Sequence, residues 1–351
     1  MNKIIKEDLG LISNSDLDWG KFKNKVVLVS GAYGMLASYM VFTLLYLNHV
    51  DPKLNIKVIA LGRNLDKAKA RFIEFLKDPN FSIMSADVVK DIKIKGDVDY
   101  IIHAASPASS QFYGVNPIGV ISPNIFGTKN LLELAREKGS EGFLLFSSGE
   151  VCGLLDKDAI EESDAGYSDP TDLRNCYGES KRMAENMCQC WYRQHKVPTL
   201  IVRPDHTYGP TMDLENDHRV FAEFVSDVVN GRNISMKSDG TPVRTFCYLS
   251  DATEGFFRVL LKGVPGESYN VSNNNCRISI GDLAALVASL SPGKDIKVIY
   301  SNRDDKNYLE NKHKIRPMLS TKKIEKLGFK CRFGVRDGFY RTIQSFLIKE
   351  S

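Results

Sequence analysis

From Lys25 onward the chain alternates short apolar runs rich in Val, Ile and Leu with amphipathic stretches of roughly 10 to 15 residues. Strands buried on both faces read as continuous apolar runs, and parallel neighbours need a crossover between them, so this rhythm predicts a parallel sheet joined by helices. Strands are expected at Val26–Ser30, Lys57–Leu61, Tyr100–His103, Gly142–Ser147 and Thr199–Arg203, with a third strand region closing at Asp87-Val88. Helices are expected at Leu36–Tyr46, Leu65–Leu76, Ile118–Lys138 and Tyr177–Gln194. The fold class is therefore α/β, a doubly wound parallel sheet.

After Pro204 the pattern changes, because Gly-Pro and Asn-rich turns around Gly209, Asn230 and Asn273 separate shorter elements. We expect residues 25–204 to form the sheet domain and residues 205–351 a smaller, C-terminal-weighted α+β substrate domain. Phe246–Leu249 and Asp251–Leu261 read as a strand and a helix, so about residues 243–262 are expected to return toward the sheet. Residues 1–24 are polar with isolated hydrophobics and form an arm pinned by Trp19 and Phe22.

With 351 residues, 43% hydrophobic and 26% charged, the chain can bury one large core or two unequal ones, which excludes disordered, collagen-like and coiled-coil classes. The net charge of +4 comes from 47 basic and 43 acidic residues spread along the chain without a long basic run. That argues against nucleic acid and still suits an anionic small molecule such as a nucleotide diphosphate. The longest strongly apolar stretch, Tyr39 to Leu47, is too short to span a bilayer, and Glu7 and Asp8 interrupt any signal-peptide pattern, so a cytoplasmic location without membrane contact is expected. Seven scattered cysteines, without Cys-x-x-Cys or nearby His ligands, read as reduced thiols and give no metal site.

Candidate chemistry begins directly after the first strand, at Gly31-Ala-Tyr33-Gly34-Met35-Leu36-Ala37. Glycines there allow a tight turn, and a helix N-terminus offers N–H groups to a pyrophosphate, as in a Rossmann-type dinucleotide site. Near the end of the second strand, where an acidic residue would bond the ribose of NAD, the chain carries Arg63; it reads either as a partner for the 2′-phosphate of NADP or as a solvated arginine. Asp87 and Val88 suit the adenine, and Ala104, Ala105 and Ser106 make room for the cofactor where the fourth strand ends. His103, in that strand, reads as a packed histidine.

Tyr177-Gly-Glu-Ser-Lys181 opens a predicted helix, and its spacing of four puts Tyr177 and Lys181 on one face. Ser148 lies upstream at a strand end. A phenol with an ordinary pKa near 10 is a weak base at neutral pH, whereas a neighbouring ammonium stabilises its phenolate. Tyr177 can then take a hydroxyl proton, Lys181 can lower its pKa, and Ser148 can hydrogen-bond the reacting oxygen.

The order Gly31-x-x-Gly34-x-x-Ala37, Ser148, Tyr177-x-x-x-Lys181 and Arg203-Pro-Asp-His-Thr-Tyr-Gly-Pro210 resembles the extended short-chain dehydrogenase/reductases of the NAD-dependent epimerase/dehydratase family. The likeness covers nearly all of residues 25–345. Within that family it runs toward UDP-glucuronate decarboxylases, through Ser106-Pro-Ala-Ser109, Tyr113, Asn116-Pro117, Ser148-Gly-Glu150-Val-Cys-Gly153, Cys176-Tyr177 and Arg244-Thr-Phe. The resemblance implies Glu150 as an auxiliary acid/base and Arg203 and Pro204 as further cofactor residues. It implies a nucleotide-diphosphate sugar held by Ser106, Pro107, Ser109, Tyr113, Ser148, His206 and Arg316, with Arg244 clamping its diphosphate and Arg219 a second contact. It also implies NAD as cofactor, against the lean of Arg63 toward NADP, and a homodimer through a four-helix bundle of the helices at Ile118–Lys138 and Tyr177–Gln194.

The chain departs from that pattern at His206, where the family has Asn, at Cys152, where it has Tyr, and in lacking the acidic ribose residue. Gly149 stands in the triplet that 4,6-dehydratases fill with an acid, which disfavours dehydration. Oxidation at sugar C4 followed by epimerisation or decarboxylation is the expected chemistry. An NADPH-dependent reductase of a 4-keto sugar and a non-catalytic dinucleotide sensor are the alternatives.

Overall fold

The computed structural model describes residues 1–301 and 317–348, so Arg316 lies outside the described residues. The strands are β1 (Val26–Ser30), β2 (Lys57–Gly62), β3 (Phe81–Ser85), β4 (Tyr100–His103), β5 (Gly142–Phe146), β6 (Ala159–Ile160), β7 (Thr199–Pro204), β8 (His206–Tyr208), β9 (Ile234–Met236), β10 (Val243–Tyr248), β11 (Ser268–Val271), β12 (Arg277–Ser279), β13 (Val298–Tyr300) and β14 (Met318–Leu319). Seven of them form one sheet in the order β3-β2-β1-β4-β5-β7-β11. Its pairings are parallel, with Val27 opposite both Val58 and Tyr100. The five strands expected from apolar runs are present within a residue at each end, because side chains such as Val27, Ile102, Leu144 and Val202 are buried between covering helices.

Helices α1 (Lys3–Ser13), α2 (Met35–Val50), α3 (Leu65–Arg71), α4 (Gln111–Val115), α5 (Pro117–Ser122), α6 (Thr128–Lys138) and α7 (Cys176–His195) precede α8 (Val220–Val229), α9 (Leu249–Lys262), α10 (Ile280–Ser289), α11 (Lys322–Glu325) and α12 (Val335–Leu347). Two expected helices are interrupted. The first stops at Arg71, where Phe72 turns into the core, and a short 3-10 turn follows over Ile73–Phe75. The second is divided into α5, a π-helical turn over Pro123–Gly127, and α6. Pro123 has no N–H to continue the α ladder, and the wider turn accommodates that loss.

A second core forms where β8, β10 and β12 make a three-stranded sheet against α8, α10 and α12. The Tyr208 and Phe339 rings stack at its centre, 3.9 Å apart and 10° from parallel. This corrects one expectation: the strand at Phe246 joins the small sheet, since Phe246 and Tyr248 are buried in that second core. The elements that return to the large sheet are α9, which packs on β5 and β7, and β11, which pairs with β7.

The N-terminal arm is more than pinned. Trp19 and Phe22 do pack on Phe257, at 5.3 and 6.0 Å between ring centroids. Helix α1 also buries Asp8, which accepts hydrogen bonds from Tyr39 of α2 at 2.8 Å and from Tyr248 at 2.7 Å and pairs with Arg341 of α12 at 2.7 Å. Burial raises the Asp8 pKa, against the pull of Arg341 and the two phenols. One carboxylate thus ties the arm to both cores. Among the described residues no helix is long and apolar enough to cross a membrane.

Candidate active site

In the large sheet the strand order reverses between β1 and β4, and the C-terminal strand ends there open a crevice. It belongs to a cleft of about 1030 Å³ that continues toward the small sheet.

At its cofactor end, Gly31 has φ +66°, and a Cβ there would lie 2.7 Å from the Cα of Ala105. Only glycine lets the β1 loop touch the β4 loop so closely. Gly34 caps α2, so Gly34, Met35 and Leu36 present the positive end of that helix to the cleft. Tyr33 lines the same wall and packs its ring against Gly62. Ala104 and Ser106 line the opposite wall, and the buried Oγ of Ser106 has no hydrogen-bond partner among the described residues. A glycine cradle, an open helix N-terminus and an unmatched hydroxyl fit a dinucleotide.

Other expected cofactor residues fall elsewhere. Arg63 is exposed just beyond β2 and does not line the cleft. On that side the cleft is lined instead by Lys67 and Arg71 of α3, a pair that the sequence reading missed although a spacing of four sets both on one helical face. Arg71 reaches across to donate to the Thr211 carbonyl at 2.9 Å, and burial lowers its pKa against the opposing effect of Asp213. Asp87 accepts from the Val89 amide at 3.1 Å, Val88 sits in the sheet core, and neither lines the cleft. Arg203 is also turned to structure: its Nε and Nη2 donate to Glu185 at 2.9 and 2.7 Å, and its Nη1 donates to the Glu162 carbonyl. Pro204 does line the cleft, whereas Ala105 lies behind Gly31.

The catalytic candidates meet at the ends of β5 and α7. Ser148 follows β5 and accepts the Glu150 amide at 3.2 Å, which turns the chain so that Ser148, Gly149 and Glu150 line the cleft together. Tyr177 and Lys181 line it from the first turns of α7. The Lys181 Nζ donates to the Phe146 carbonyl at 2.6 Å and lies 5.8 Å from the centre of the Tyr177 ring. Burial draws its pKa down to about 7, against the opposing charge of Glu185. Glu185 is itself fixed, since Ser147 Oγ and Arg203 both donate to it. Tyr113 stacks on Tyr177, with centroids 5.5 Å apart and planes 12° from parallel. Burial holds the Tyr113 pKa well above its ordinary value, so that phenol stays neutral. Over its ring lies Arg174, a residue the sequence reading did not single out.

Toward the small sheet, Ser109 and His206 line the cleft, and Pro107 does not. His206 Nδ1 lies 2.8 Å from Asp205 Oδ1, with its ring against Phe246. Arg219 lines the cleft while paired with Asp217, its guanidinium 4.8 Å over the Phe221 ring. Arg244 does not line it: Nη1 donates to the Val243 carbonyl at 2.8 Å on β10. Cys152, in place of the family's tyrosine, is buried with Val151, Ile160 and Leu319. His103 is fully buried with Nδ1 2.7 Å from Ser30 Oγ, and burial pushes its pKa down to about 3, so it is a neutral packed ring.

The model of the NAD dependent epimerase/dehydratase family matches residues 27–272. UDP-glucuronic acid decarboxylase 5 of Arabidopsis thaliana is 32% identical over 340 residues, covering 96% of this chain and 94% of that relative. UDP-glucuronic acid decarboxylase 1 of Xenopus tropicalis is 30% identical and covers 92% and 72%. Among solved structures, UDP-glucuronic acid 4-epimerase from Bacillus cereus in complex with NAD has a TM-score of 0.74 at 20% identity, covering 92% of this chain and 96% of that one. Epimerase Mth375 from Methanothermobacter thermautotrophicus reaches 0.78 at 21% identity, covering 98% and 95%. At such identities the structural likeness is one of fold.

Proposed function

The chain belongs to the NAD-dependent epimerase/dehydratase family, and from that premise we propose that it decarboxylates a nucleotide-diphosphate hexuronate through a transient ketone at sugar C4. The observation that carries this reading is the convergence of Tyr177, Lys181, Ser148 and Glu150 on the cleft that also holds the glycine cradle. Its agreement with relatives named for UDP-glucuronic acid decarboxylation along almost the whole chain supports the substrate class.

Gly31, Gly34, Met35, Leu36, Ala104 and Ser106 would hold NAD, which when bound supplies the hydride acceptor, and later donor, at C4. Tyr177 takes the proton of the C4 hydroxyl, and Lys181 favours the phenolate that does so. Ser148 donates a hydrogen bond to the C4 oxygen as its charge changes. A C4 ketone makes the substrate a β-keto acid, so the bond from C5 to the carboxylate breaks and the electron pair is held as an enolate. Glu150 delivers the proton that C5 then takes up.

His206 and Arg219, which line the cleft, would contact the substrate, Arg219 on its nucleotide side. The exposed apolar side chains of Ile118 and Phe126, with Met183 on α7, support a homodimer built on the α5–α7 face. Incubation with UDP-glucuronate tests the reaction, with CO2 and a nucleotide-linked pentose expected. A C4 epimer that keeps its carboxylate would replace decarboxylation with epimerisation.

A further inference from the structure

We infer that Arg174 is a positioning residue that holds the Glu150 carboxylate and, through the Tyr113 ring, the Tyr177 phenol in their working places. The inference rests on the roles proposed above for Glu150 and Tyr177.

Arg174 stands on a short 3-10 turn, Leu173–Asn175, immediately before α7. Asp172 caps that turn by accepting the Arg174 amide at 2.9 Å, and Asn175 ties it back to the Asp169 carbonyl at 3.0 Å. The base of the side chain is therefore fixed. Its guanidinium carbon lies 5.1 Å from the centre of the Tyr113 ring, and Nη1 lies 3.7 Å from Glu150 Oε2. Tyr113 in turn stacks on Tyr177. The cation thus lies over a phenol that itself stacks on Tyr177, and one of its nitrogens is within ion-pair reach of the carboxylate.

Arginine suits this place because its planar group can lie against a ring and still offer N–H groups at its edge, which a lysine cannot do together. The side chain is 17% exposed and the guanidinium does not line the cleft, so substrate contact is not its task. Its Nε is buried without a hydrogen-bond partner among the described residues. The contacts that hold the group are the ring and the carboxylate. A fixed cation one ring away from Tyr177 favours its phenolate. Tyr113, kept neutral by burial, transmits position without competing for the charge.

Two variants test this in the full chain, Arg174→Met, which removes the charge, and Arg174→Lys, which restores it without the plane. The first readout is the alkaline absorbance of Tyr177, taken as the difference from Tyr177→Phe in the same background, and it needs no substrate. We expect the phenol of Arg174→Met to titrate at higher pH than in the parent chain and that of Arg174→Lys to return toward the parent. The second readout is turnover: kcat of Arg174→Met should fall about 10-fold or more and its acid limb move to higher pH, while KM changes less than about 2-fold. An unmoved phenol titration in Arg174→Met overturns the positioning of Tyr177, and a rise in KM with kcat intact makes Arg174 a substrate contact instead. If the parent chain converts no nucleotide sugar, the functional reading fails, and the phenol titration still decides the role of Arg174. Should Arg174→Met not fold, Arg174→Lys alone decides: a parent-like phenol with lowered kcat supports the inference, and parent-like kcat overturns it.

Discussion

Lys181 is 2% exposed beneath the ring of Tyr177, and burial lowers its pKa from the ordinary 10.5 to about 7. Between those values the unfolded chain holds a proton that the folded chain has released. The destabilising effect of this buried ammonium is therefore complete below about pH 7 and fades as pH rises toward 10.5. Replacing Lys181 with Met should stabilise the cofactor-free protein most below pH 7, with the gain in melting temperature shrinking at higher pH. A gain independent of pH would show that the lysine is not the titrating group. The spacing of Tyr177 and Lys181 was legible because four residues of one helix decide it. The arginines were not, since the partner of an arginine is set by tertiary neighbours: Arg203 finds Glu185 on α7, and Arg174 finds Tyr113 on α4. Nothing local distinguishes those cations from Arg63, which meets solvent.

Strand β1 and the turn after it show an element read in full from its residues, since Val26–Ser30 is continuously apolar up to Ser30 and the glycine follows at once. The requirement for glycine at position 31 is twofold, a positive φ and backbone contact with Ala105. A side chain in that left-handed region costs about 1–2 kcal/mol before any clash. Gly31→Ala should therefore weaken NAD binding by about 10-fold or more while Tyr177 and Lys181 remain in place, and a fluorescence titration with NADH checks it. Unchanged affinity would remove the cradle from the cofactor site. Longer elements were less legible. The stretch from Ile118 to Lys138 carries an apolar stripe past Pro123, yet the backbone departs from α geometry at Pro123–Gly127. The alternation around Phe246 announces a strand without saying which sheet it joins. Pairing with β8 decides that, and it is a contact across forty residues, Phe246 opposite His206.

Across the whole molecule, two cores flank the cleft, and the N-terminal helix joins them through Asp8, Tyr39, Tyr248 and Arg341. Sequence reading left this arm as a tether because its partners lie as far away as α12. The parallel sheet, by contrast, follows from a rhythm repeated along half the chain, and the cleft follows from the sheet's reversal between β1 and β4. Into that cleft the fold brings a dinucleotide cradle, a phenol with its ammonium, a serine and a carboxylate. The central claim is that these groups oxidise C4 transiently and return the same hydride after CO2 leaves. The most direct measurement supplies UDP-glucuronate deuterated at C4, in ordinary water, and reads the product by NMR and mass spectrometry. The account predicts a pentose that keeps deuterium at C4 and takes a solvent hydrogen at C5. A product that has lost the C4 deuterium, or that retains its carboxylate, would contradict it.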